Sequence, residues 1–273
     1  MNPVQLKEMV KAYLPTTIQD HIIRPLLHRW REPARPIDLS PLRLIREAKT
    51  EDLANPKWLE TMLPRLGLNS EWLHQFPSDL YPYTGKGLRH WQYPNQFSKY
   101  LAQLSHYKIE SYLEIGVRHG GTFCITVEYL NRFHPLKKAI GVDIRPCPGI
   151  EEYRKTNPHV RFEVSDSQKP AFKRLVETEG PFDLVLIDGD HTEEGCRKDF
   201  ENLKDHAKIF VFHDIVSDPV PGVIKVWQDV KEAEKDTFDF YEYTDQYEEC
   251  VNRRGEKLLG IGVAVKKNAG SLH

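Results

Sequence analysis

The chain has 273 residues, of which 40% are hydrophobic, and a formal net charge of −2 at pH 7. This is the composition of a globular protein that can bury a sizeable core, and the near-neutral charge disfavours nucleic acid as a partner. No apolar run approaches a membrane span in length, and charged residues interrupt the N-terminus where a signal peptide needs an apolar stretch, so we expect a cytoplasmic protein without a membrane contact.

Residues 1–94 hold most of the prolines and have the pattern of short helices separated by loops. The predicted helices cover residues 4–13, 18–30, 41–47, 56–63 and 71–76. An ordered loop rich in aromatic and basic side chains follows at 81–91. We therefore predict a helical N-terminal region over 1–94, distinct from residues 95–273.

From residue 95 the pattern becomes regular, with a predicted helix at 95–105 and then alternating strands and helices. Apolar runs predict strands at 111–115, 138–143, 159–164, 183–188 and 208–213. Such alternation is typical of βαβ units in a parallel sheet. Two last strands, 238–243 and 259–265, are separated by a charged linker with no clear helix and predict a terminal antiparallel pair. The expected fold class is α/β: a Rossmann-like, seven-stranded, mostly parallel sheet with an antiparallel last strand, preceded by the helical N-terminal region.

A glycine-containing loop follows the first predicted strand, with Glu114 at the strand end and then Gly116, Gly120 and Gly121. The spacing lacks the second close glycine that a pyrophosphate requires, so a dinucleotide is disfavoured. The loop suits a small zwitterionic ligand whose carboxylate faces the N-terminal amides of the next helix. For the glycines alone, a tight strand–helix turn without a ligand is the alternative. Asp143 ends the next strand, where an acid accepts hydrogen bonds from ribose hydroxyls.

The E-x-G-x-x-x-G spacing from Glu114 to Gly120 resembles the first motif of class I S-adenosylmethionine-dependent methyltransferases. A seven-stranded sheet with a terminal antiparallel pair also resembles their fold. The resemblance implies S-adenosylmethionine as the cofactor, with Glu114 orienting the loop or meeting the cofactor's amino group. In such enzymes the adenine amino group is recognised after the third strand, which implies Asp166 and Ser167 as adenine contacts. A polar turn without a ligand is the alternative there.

Acidic and imidazole side chains follow the fourth and fifth predicted strands. Asp188, Asp190 and His191 follow the fourth strand, and His213 and Asp214 end the fifth. Because the carboxyl ends of parallel strands meet at one rim of the sheet, these side chains should converge. Several carboxylates cannot stay ionised together without a compensating cation, since like charges raise one another's pKa. The sequence therefore predicts a divalent metal at this rim.

The segment 188–215 resembles metal-dependent O-methyltransferases, a family that includes enzymes acting on antibiotic sugars and hydroxylated aromatics, with the cephalosporin hydroxylase proteins as cousins. The resemblance covers roughly residues 95–266 and implies Asp188 and Asp214 as metal ligands. We expect Asp188 to contact the cofactor as well. His213 stands where those enzymes have a carboxylate. Either His213 ligates and the metal is manganese or another softer ion, or two carboxylates and water hold magnesium. We expect magnesium, with manganese or another divalent ion as the alternative.

The same resemblance implies Asp190 as the general base. His191 competes for that role because its unperturbed pKa lies near neutrality. Asp190 or Thr192 could instead serve only to cap the helix predicted at 193–203, and His213 could be a buried histidine bonded to the backbone.

The expected activity is methyl transfer from S-adenosylmethionine to a hydroxyl of a small molecule or glycan. A hydroxylase-like or non-methylating member of the same fold, and a catalytically silent cofactor-binding scaffold, are the alternatives. In metal-dependent relatives the N-terminal helices form a lid over the acceptor or an oligomer contact. By that resemblance the lid residues are Lys86, Arg89, His90 and Trp91, and a homo-oligomer is a further expectation.

Overall fold

The computed structural model describes residues 33–267 of the chain. From Ala34 onward these residues belong to one compact unit. The helices predicted at 4–13 and 18–30 lie outside the described residues. The domain boundary predicted near residue 95 stays a prediction.

Within residues 33–267, seven strands form a single sheet. Their bounds are β1 Ser111–Ile115, β2 Lys138–Asp143, β3 Val160–Val164, β4 Phe182–Ile187, β5 Ala207–His213, β6 Phe238–Tyr243 and β7 Ile261–Lys266. The strand order is β3-β2-β1-β4-β5-β7-β6. Strands β1 to β5 pair in parallel, and β7 is antiparallel to both of its neighbours. The predicted α/β, Rossmann-like fold class is confirmed.

Helices connect the strands and precede them. The α-helices are α1 Arg43–Glu47, α2 Thr50–Leu53, α3 Pro56–Met62, α4 Pro94–Leu104, α5 Gly121–Asn131, α6 Pro148–Tyr153, α7 Pro170–Glu179, α8 Glu193–Leu203, α9 Pro221–Ala233 and α10 Glu248–Arg254. Short 3-10 helices cover Ser40–Leu42, Leu63–Leu66, Leu73–Gln75 and Ser78–Tyr83. Among these helices, none has both the length and the apolar character that crossing a lipid bilayer demands.

Two apolar layers enclose the sheet because successive strand side chains point to opposite faces. In β1, Tyr112 belongs to the layer that contains α4, α5 and α6, whereas Leu113 belongs to the layer built from α7, α8 and α9. The first layer also takes in Leu42, Ile45 and other buried residues of the segment before α4. The described part of the N-terminal region therefore shares the core of the sheet.

Two sequence expectations about helices differ from the structure. The helix predicted at 71–76 is a single 3-10 turn, Leu73–Gln75. The linker predicted to lack a helix contains α10, so that prediction was wrong. Helix α10 buries only Cys250 and so has no apolar periodicity to detect, but acidic residues in its first turn and basic residues in its last turn complement the helix dipole.

Candidate functional site

The loop between β1 and α5 is held in an unusual backbone conformation at three positions. Gly116 has a φ of 88°, Arg118 of 51° and Gly120 of 86°. A Cβ at Gly116 would overlap the carbonyl oxygen of Asp188, so the loop passes directly against the end of β4. Only glycine allows that approach at a positive φ. The predicted cofactor loop and the predicted metal rim are thus in backbone contact.

Asp143, at the end of β2, braces this loop. Its Oδ2 accepts a hydrogen bond from the amide of Arg118 at 3.0 Å, and its Oδ1 accepts one from the amide of Arg145 at 3.1 Å. The carboxylate is therefore fixed beside the loop, at the strand end where the sequence places a ribose contact. That contact stays a prediction.

Glu114 is buried at the end of β1. Burial raises its pKa to about 8, with a further contribution from the charge of Asp188, although a hydrogen bond from the Tyr112 hydroxyl acts in the opposite direction. At neutral pH most Glu114 side chains are therefore protonated. A neutral acid can orient the loop through hydrogen bonds, which suits the first of the two roles that the resemblance implies.

Two carboxylates and two imidazoles meet at the carboxyl ends of β4 and β5. His191 Nε2 lies 3.1 Å from Asp188 Oδ1 and 3.4 Å from Asp214 Oδ2. His213 Nδ1 lies 3.1 Å from Asp188 Oδ1 and 3.6 Å from Asp214 Oδ2. We call these four residues the acid–imidazole cluster. Of the five side chains predicted to converge at the rim, these four are in contact, whereas Asp190 bonds to the amide of Thr192.

The electrostatics of the cluster follow from this geometry. Burial alone would raise the pKa of Asp188 and of Asp214, but the nearby imidazoles lower both. Burial alone would lower the pKa of His213, but the two carboxylates raise it well above its ordinary value. The carboxylates are therefore anionic at neutral pH, and a positive charge is stabilised between them.

The donor set of the cluster fits a divalent metal. One ligand atom each from Asp188, His191 and Asp214 lies within 4.8 Å of the others. Asp214 Oδ1 and His213 Nε2 are buried and lack a hydrogen-bond partner among residues 33–267. Unpaired buried polar atoms are costly, and a bound cation would satisfy the carboxylate oxygen. Because imidazole nitrogen is included, the set suits manganese and softer ions better than magnesium.

The structure therefore brings His191 together with Asp188 and Asp214, two of the three residues assigned to the metal from the sequence, whereas His191 itself was named there only as a possible base. The role of His213 as a ligand stays a prediction. Asp214 has a φ of 65°, and this strained backbone turns its carboxylate toward the other cluster residues. Sequence patterns do not show such a local turn.

Asp190 lies at the N-terminus of α8, outside the three-residue metal group. Its Oδ1 accepts a hydrogen bond from the amide of Thr192 at 2.9 Å, and its carboxyl group covers Gly195, where a Cβ would overlap it. Thr192 is the N-cap, and its hydroxyl accepts a hydrogen bond from the Gly195 amide at 3.1 Å. Of the two residues named as possible caps, Thr192 is thus the N-cap, while Asp190 bonds to the Thr192 amide; the role of Asp190 as a base stays a prediction.

The loop after β3 contains the two predicted adenine contacts. Asp166 is 40% exposed and its Oδ1 accepts a hydrogen bond from the Gln168 amide at 2.9 Å. Ser167, the next residue of the loop, is buried. The Gln168 side chain reaches inward and donates to Asp199 Oδ1 at 2.9 Å. Asp166 is thus accessible to a ligand, while Gln168 in the same loop is held by its hydrogen bond to Asp199.

Asp199 and Gln168 were not predicted from the sequence. Asp199 stands on the buried face of α8, in a stripe whose other members are Cys196, Phe200 and Leu203. An acid within such an apolar helical stripe is an unusual signal, and it could have drawn attention to this position.

The predicted lid residues lie in a loop that packs on the start of α5. His90 is buried, its Nε2 lies 3.1 Å from the carbonyl of Leu63, and burial lowers its pKa to about 4, so it is a neutral core histidine. The indole of Trp91 donates a hydrogen bond to Gln75 Oε1 at 2.8 Å. Gly121 has no side chain, and a Cβ there would overlap the backbone of this loop. Lys86 and Arg89 are more exposed. The lid role stays a prediction.

Residues 113–215 match a family model described as a methyltransferase domain. The matched segment is less than half of the chain, but it begins in β1 and contains both the glycine loop and the acid–imidazole cluster. A search of curated proteins found no match. The family match and the strand order support a class I S-adenosylmethionine-dependent methyltransferase.

The chain is also similar to several solved methyltransferases. One is MycE from the mycinamycin biosynthetic pathway in complex with Mg and SAH, at 19% identity and a TM-score of 0.45, covering 67% of this chain and 52% of that one. Another is an O-methyltransferase from Bacillus cereus in complex with SAH, at 15% identity and a TM-score of 0.46, covering 92% and 96%. A third is the SAH-bound methyltransferase PaMTH1 from Podospora anserina, at 15% identity and a TM-score of 0.47, covering 72% and 86%. The chain thus spans about half the length of MycE.

Proposed function

We propose that the protein is an S-adenosylmethionine-dependent, divalent-metal-dependent O-methyltransferase that acts on a hydroxyl of a small molecule or glycan. The observation that carries the proposal is the backbone contact between Gly116 and Asp188, which joins the glycine loop to the acid–imidazole cluster. A methyl donor in that loop and an acceptor at the cluster would be neighbours. Holding two reactants side by side is a major source of acceleration in group transfer.

The cofactor side of the site would be formed by the glycine loop and the N-terminus of α5. The first-turn amides of this helix offer hydrogen bonds and a partial positive charge to a carboxylate. Asp143 is fixed beside the loop to accept hydrogen bonds from ribose hydroxyls, and Asp166 is exposed for the adenine amino group. Each of these residue roles is part of the proposal.

The metal would be held by Asp188, His191 and Asp214, with His213 as a further ligand or as a neighbour that orients Asp188. When bound there, a divalent cation would lower the pKa of the acceptor hydroxyl and help to position it. The presence of imidazole nitrogen among the donors makes manganese or a softer ion our choice over magnesium. A glycan or other polyol acceptor would suit such a site because adjacent hydroxyls can approach one cation together.

Asp190 and His191 are the two proposed acceptors of the hydroxyl proton. His191 Nε2 already faces the cluster, but it cannot accept a proton while it ligates a metal. Asp190 lies on the rim but would first have to release the amide of Thr192. Glutamine or asparagine variants of the two positions would separate them, since only the base alters the pH dependence of the rate.

A hydroxylase-like function is the second candidate. The observation in its favour is that both imidazoles contact the same carboxylate oxygen, Asp188 Oδ1. Two histidines and one carboxylate form the ligand set typical of ferrous oxygenases. Such an activity would require oxygen and would not consume S-adenosylmethionine.

The test is a calorimetric titration of the full chain with S-adenosylhomocysteine, with manganese, with magnesium and with a chelator. Micromolar-range binding would establish the cofactor class, and absence of binding in every buffer would refute the methyltransferase proposal. Metal titrations would compare the wild type with Asp214→Asn, which removes a ligand charge and still tolerates a positive φ. The matched control is Asp236→Asn, an exposed position just before the edge strand β6, at the end of the sheet opposite to the carboxyl ends of β4 and β5. Metal binding should be lost only in the Asp214 variant.

A further inference from the structure

The proposed metal ligand Asp214 begins a turn that pairs with the segment just before β7. In the regular antiparallel register of β5 and β7, Asp214 would face Gly260. Instead the Ile215 amide donates to the Gly260 carbonyl at 3.4 Å, and the Val216 amide donates to the Leu259 carbonyl at 3.1 Å. The pairing is thus shifted by one residue at Asp214. Such a β-bulge commonly re-aims a side chain next to an active site.

The backbone on both sides of this pairing is strained. Asp214 has a φ of 65° and Leu259 a φ of 59°, values that residues other than glycine rarely adopt. A conformation of this kind persists only where the surrounding contacts fix it. Gly260 lies against the turn, since a Cβ there would come within 2.7 Å of Val216 Cγ2 and 3.1 Å of Ile215 Cγ1. The aim of the Asp214 carboxylate therefore depends on what holds Leu259 and Gly260 in place.

Gln96, on α4, holds this segment through both ends of its side-chain amide. Its Oε1 accepts a hydrogen bond from the Gly260 amide at 3.0 Å, and its Nε2 donates to the Asp245 carbonyl at 2.7 Å. The side chain is 0% exposed, although glutamine is rarely buried completely. An apolar side chain would suit this buried face of α4 but would deprive the Gly260 amide of its acceptor, and an unpaired buried amide is costly. The hydrogen bonds of Gln96 therefore fix the position of Gly260.

We propose that Gln96 is a positioning residue for the metal ligand Asp214, and that it acts through Gly260 and the turn formed by residues 214–216. This inference rests on the proposed function. Gln96 fixes Gly260 by a hydrogen bond to its amide. The carbonyl groups of Leu259 and Gly260 then fix the turn, and the turn keeps Asp214 at its positive φ with its carboxylate facing the acid–imidazole cluster. Groups that orient a ligand without touching the metal typically change metal affinity by about 10–100-fold.

Replacing Gln96 by methionine removes both hydrogen bonds and keeps an unbranched side chain of similar length. Gly260 is then free to shift, the turn loosens, and Asp214 holds its binding position in only a fraction of the molecules. We expect the Kd for manganese to rise about tenfold, because only the competent fraction binds the metal. The Kd for S-adenosylhomocysteine, measured with a chelator present, should not change, since the glycine loop rests on the Asp188 backbone. A purely structural role of Gln96 would not separate the two ligands in this way.

The experiment is a pair of calorimetric titrations of the full chain, one with manganese and one with S-adenosylhomocysteine and a chelator. Wild type, Gln96→Met and the control Gln103→Met are compared. Gln103 also lies on α4, and its Oε1 accepts a hydrogen bond from the Tyr243 hydroxyl at 2.9 Å. We expect only Gln96→Met to lose manganese affinity. A folded Gln96→Met protein with the wild-type Kd for manganese, or with an equal loss of affinity for both ligands, would overturn the proposal.

Amide hydrogen exchange of the wild type gives a second readout that needs no variant. Because coupling between two parts of a protein is reciprocal, manganese binding should slow the exchange of the Ile215, Val216 and Gly260 amides by up to about tenfold. The amides of β3, at the far edge of the sheet, serve as the reference. Unchanged exchange of the three amides with manganese bound would overturn the proposal.

Failure of the wild type to bind any divalent metal would instead refute the proposed metal-dependent function. Exchange in the metal-free wild type and in metal-free Gln96→Met would then still judge the connection between Gln96 and the turn. Faster exchange of the Ile215 and Val216 amides in the variant would support that connection, and equal rates would overturn it.

Discussion

Replacing Glu71 by glutamine should destabilise the protein and weaken S-adenosylhomocysteine binding. Glu71 Oε1 accepts hydrogen bonds from Arg118 Nη2 at 2.6 Å and from His119 Nε2 at 2.8 Å. The other ring nitrogen of His119 accepts a hydrogen bond from the amide of Arg35 at 2.9 Å. Arg118 and His119 are the two residues between Val117 and Gly120 of the cofactor loop, so one carboxylate ties this loop to the segment before α4.

The magnitude follows from the protonation of Glu71. Burial alone would raise its pKa, but the hydrogen bonds from His119 and Arg118 lower it from 4.5 to about 2. The difference corresponds to roughly 3 kcal/mol at full weight, and screening at a partly exposed group reduces this to about 2 kcal/mol. Because the folded pKa is depressed, this contribution is fully present above about pH 4.5 and is lost as the pH falls toward 2. In a domain of this size it corresponds to roughly 4–8 °C in Tm.

The assay is thermal unfolding of wild type, Glu71→Gln and Glu249→Gln at pH 7 and at pH 3. Glu249 is the control because it also pairs with an arginine, Arg253, but is 43% exposed, where ion pairs contribute little. The Tm deficit of Glu71→Gln should be clear at pH 7 and smaller at pH 3. Equal Tm values for the two variants at pH 7 would show that the Glu71 contacts do not stabilise the loop.

Three further changes test other parts of the site. Gly121→Ala places a Cβ against the carbonyl of Leu88, and we expect a loss of about 2 kcal/mol in urea unfolding that the gain in helix propensity does not offset. Glu128→Gln weakens the pairing of the buried Glu128 carboxylate with the half-exposed Arg46 and should cost about 1–3 kcal/mol in the same assay, with no change in S-adenosylhomocysteine affinity after correction for unfolding. Metal binding should release about one proton at neutral pH. The carboxylates of the cluster raise the pKa of His213, and a cation bound to them would cancel this attraction, so that burial would lower the pKa and the imidazole would lose its proton. Calorimetric titrations with the metal in two buffers of different ionisation enthalpy measure the number of protons released, and identical heats in the two buffers would contradict the prediction.

The strands were predictable because buried parallel strands produce short apolar runs bounded by turn residues. The last strand but one, Phe238–Tyr243, has the predicted bounds. Short elements before α4 were less predictable, since 3-10 turns such as Leu73–Gln75 have no repeat long enough to give a period. Helix α10 was missed for a related reason: it buries one side chain and is stabilised by charges at its ends.

The location of the site followed from topology, but its internal arrangement did not. Parallel strands β4 and β5 are neighbours, so Asp188 and Asp214 had to meet at one rim. Asp190 and His191 are adjacent in sequence, yet the first turns to the helix amides and the second to the carboxylates. That division depends on side-chain torsions and local hydrogen bonds, which a residue pattern does not encode.

The imidazole of His213 gives the cluster a property that a carboxylate at this position would remove. A third carboxylate would leave the rim with three like charges, and such a group could ionise fully only with a cation bound. With His213 protonated between Asp188 and Asp214, the protein supplies part of that positive charge itself. The metal must then compete with a proton, so its affinity should be lower and more dependent on pH than at an all-carboxylate site. The glycine loop, which rests on the Asp188 backbone and not on its side chain, should keep its shape in either state.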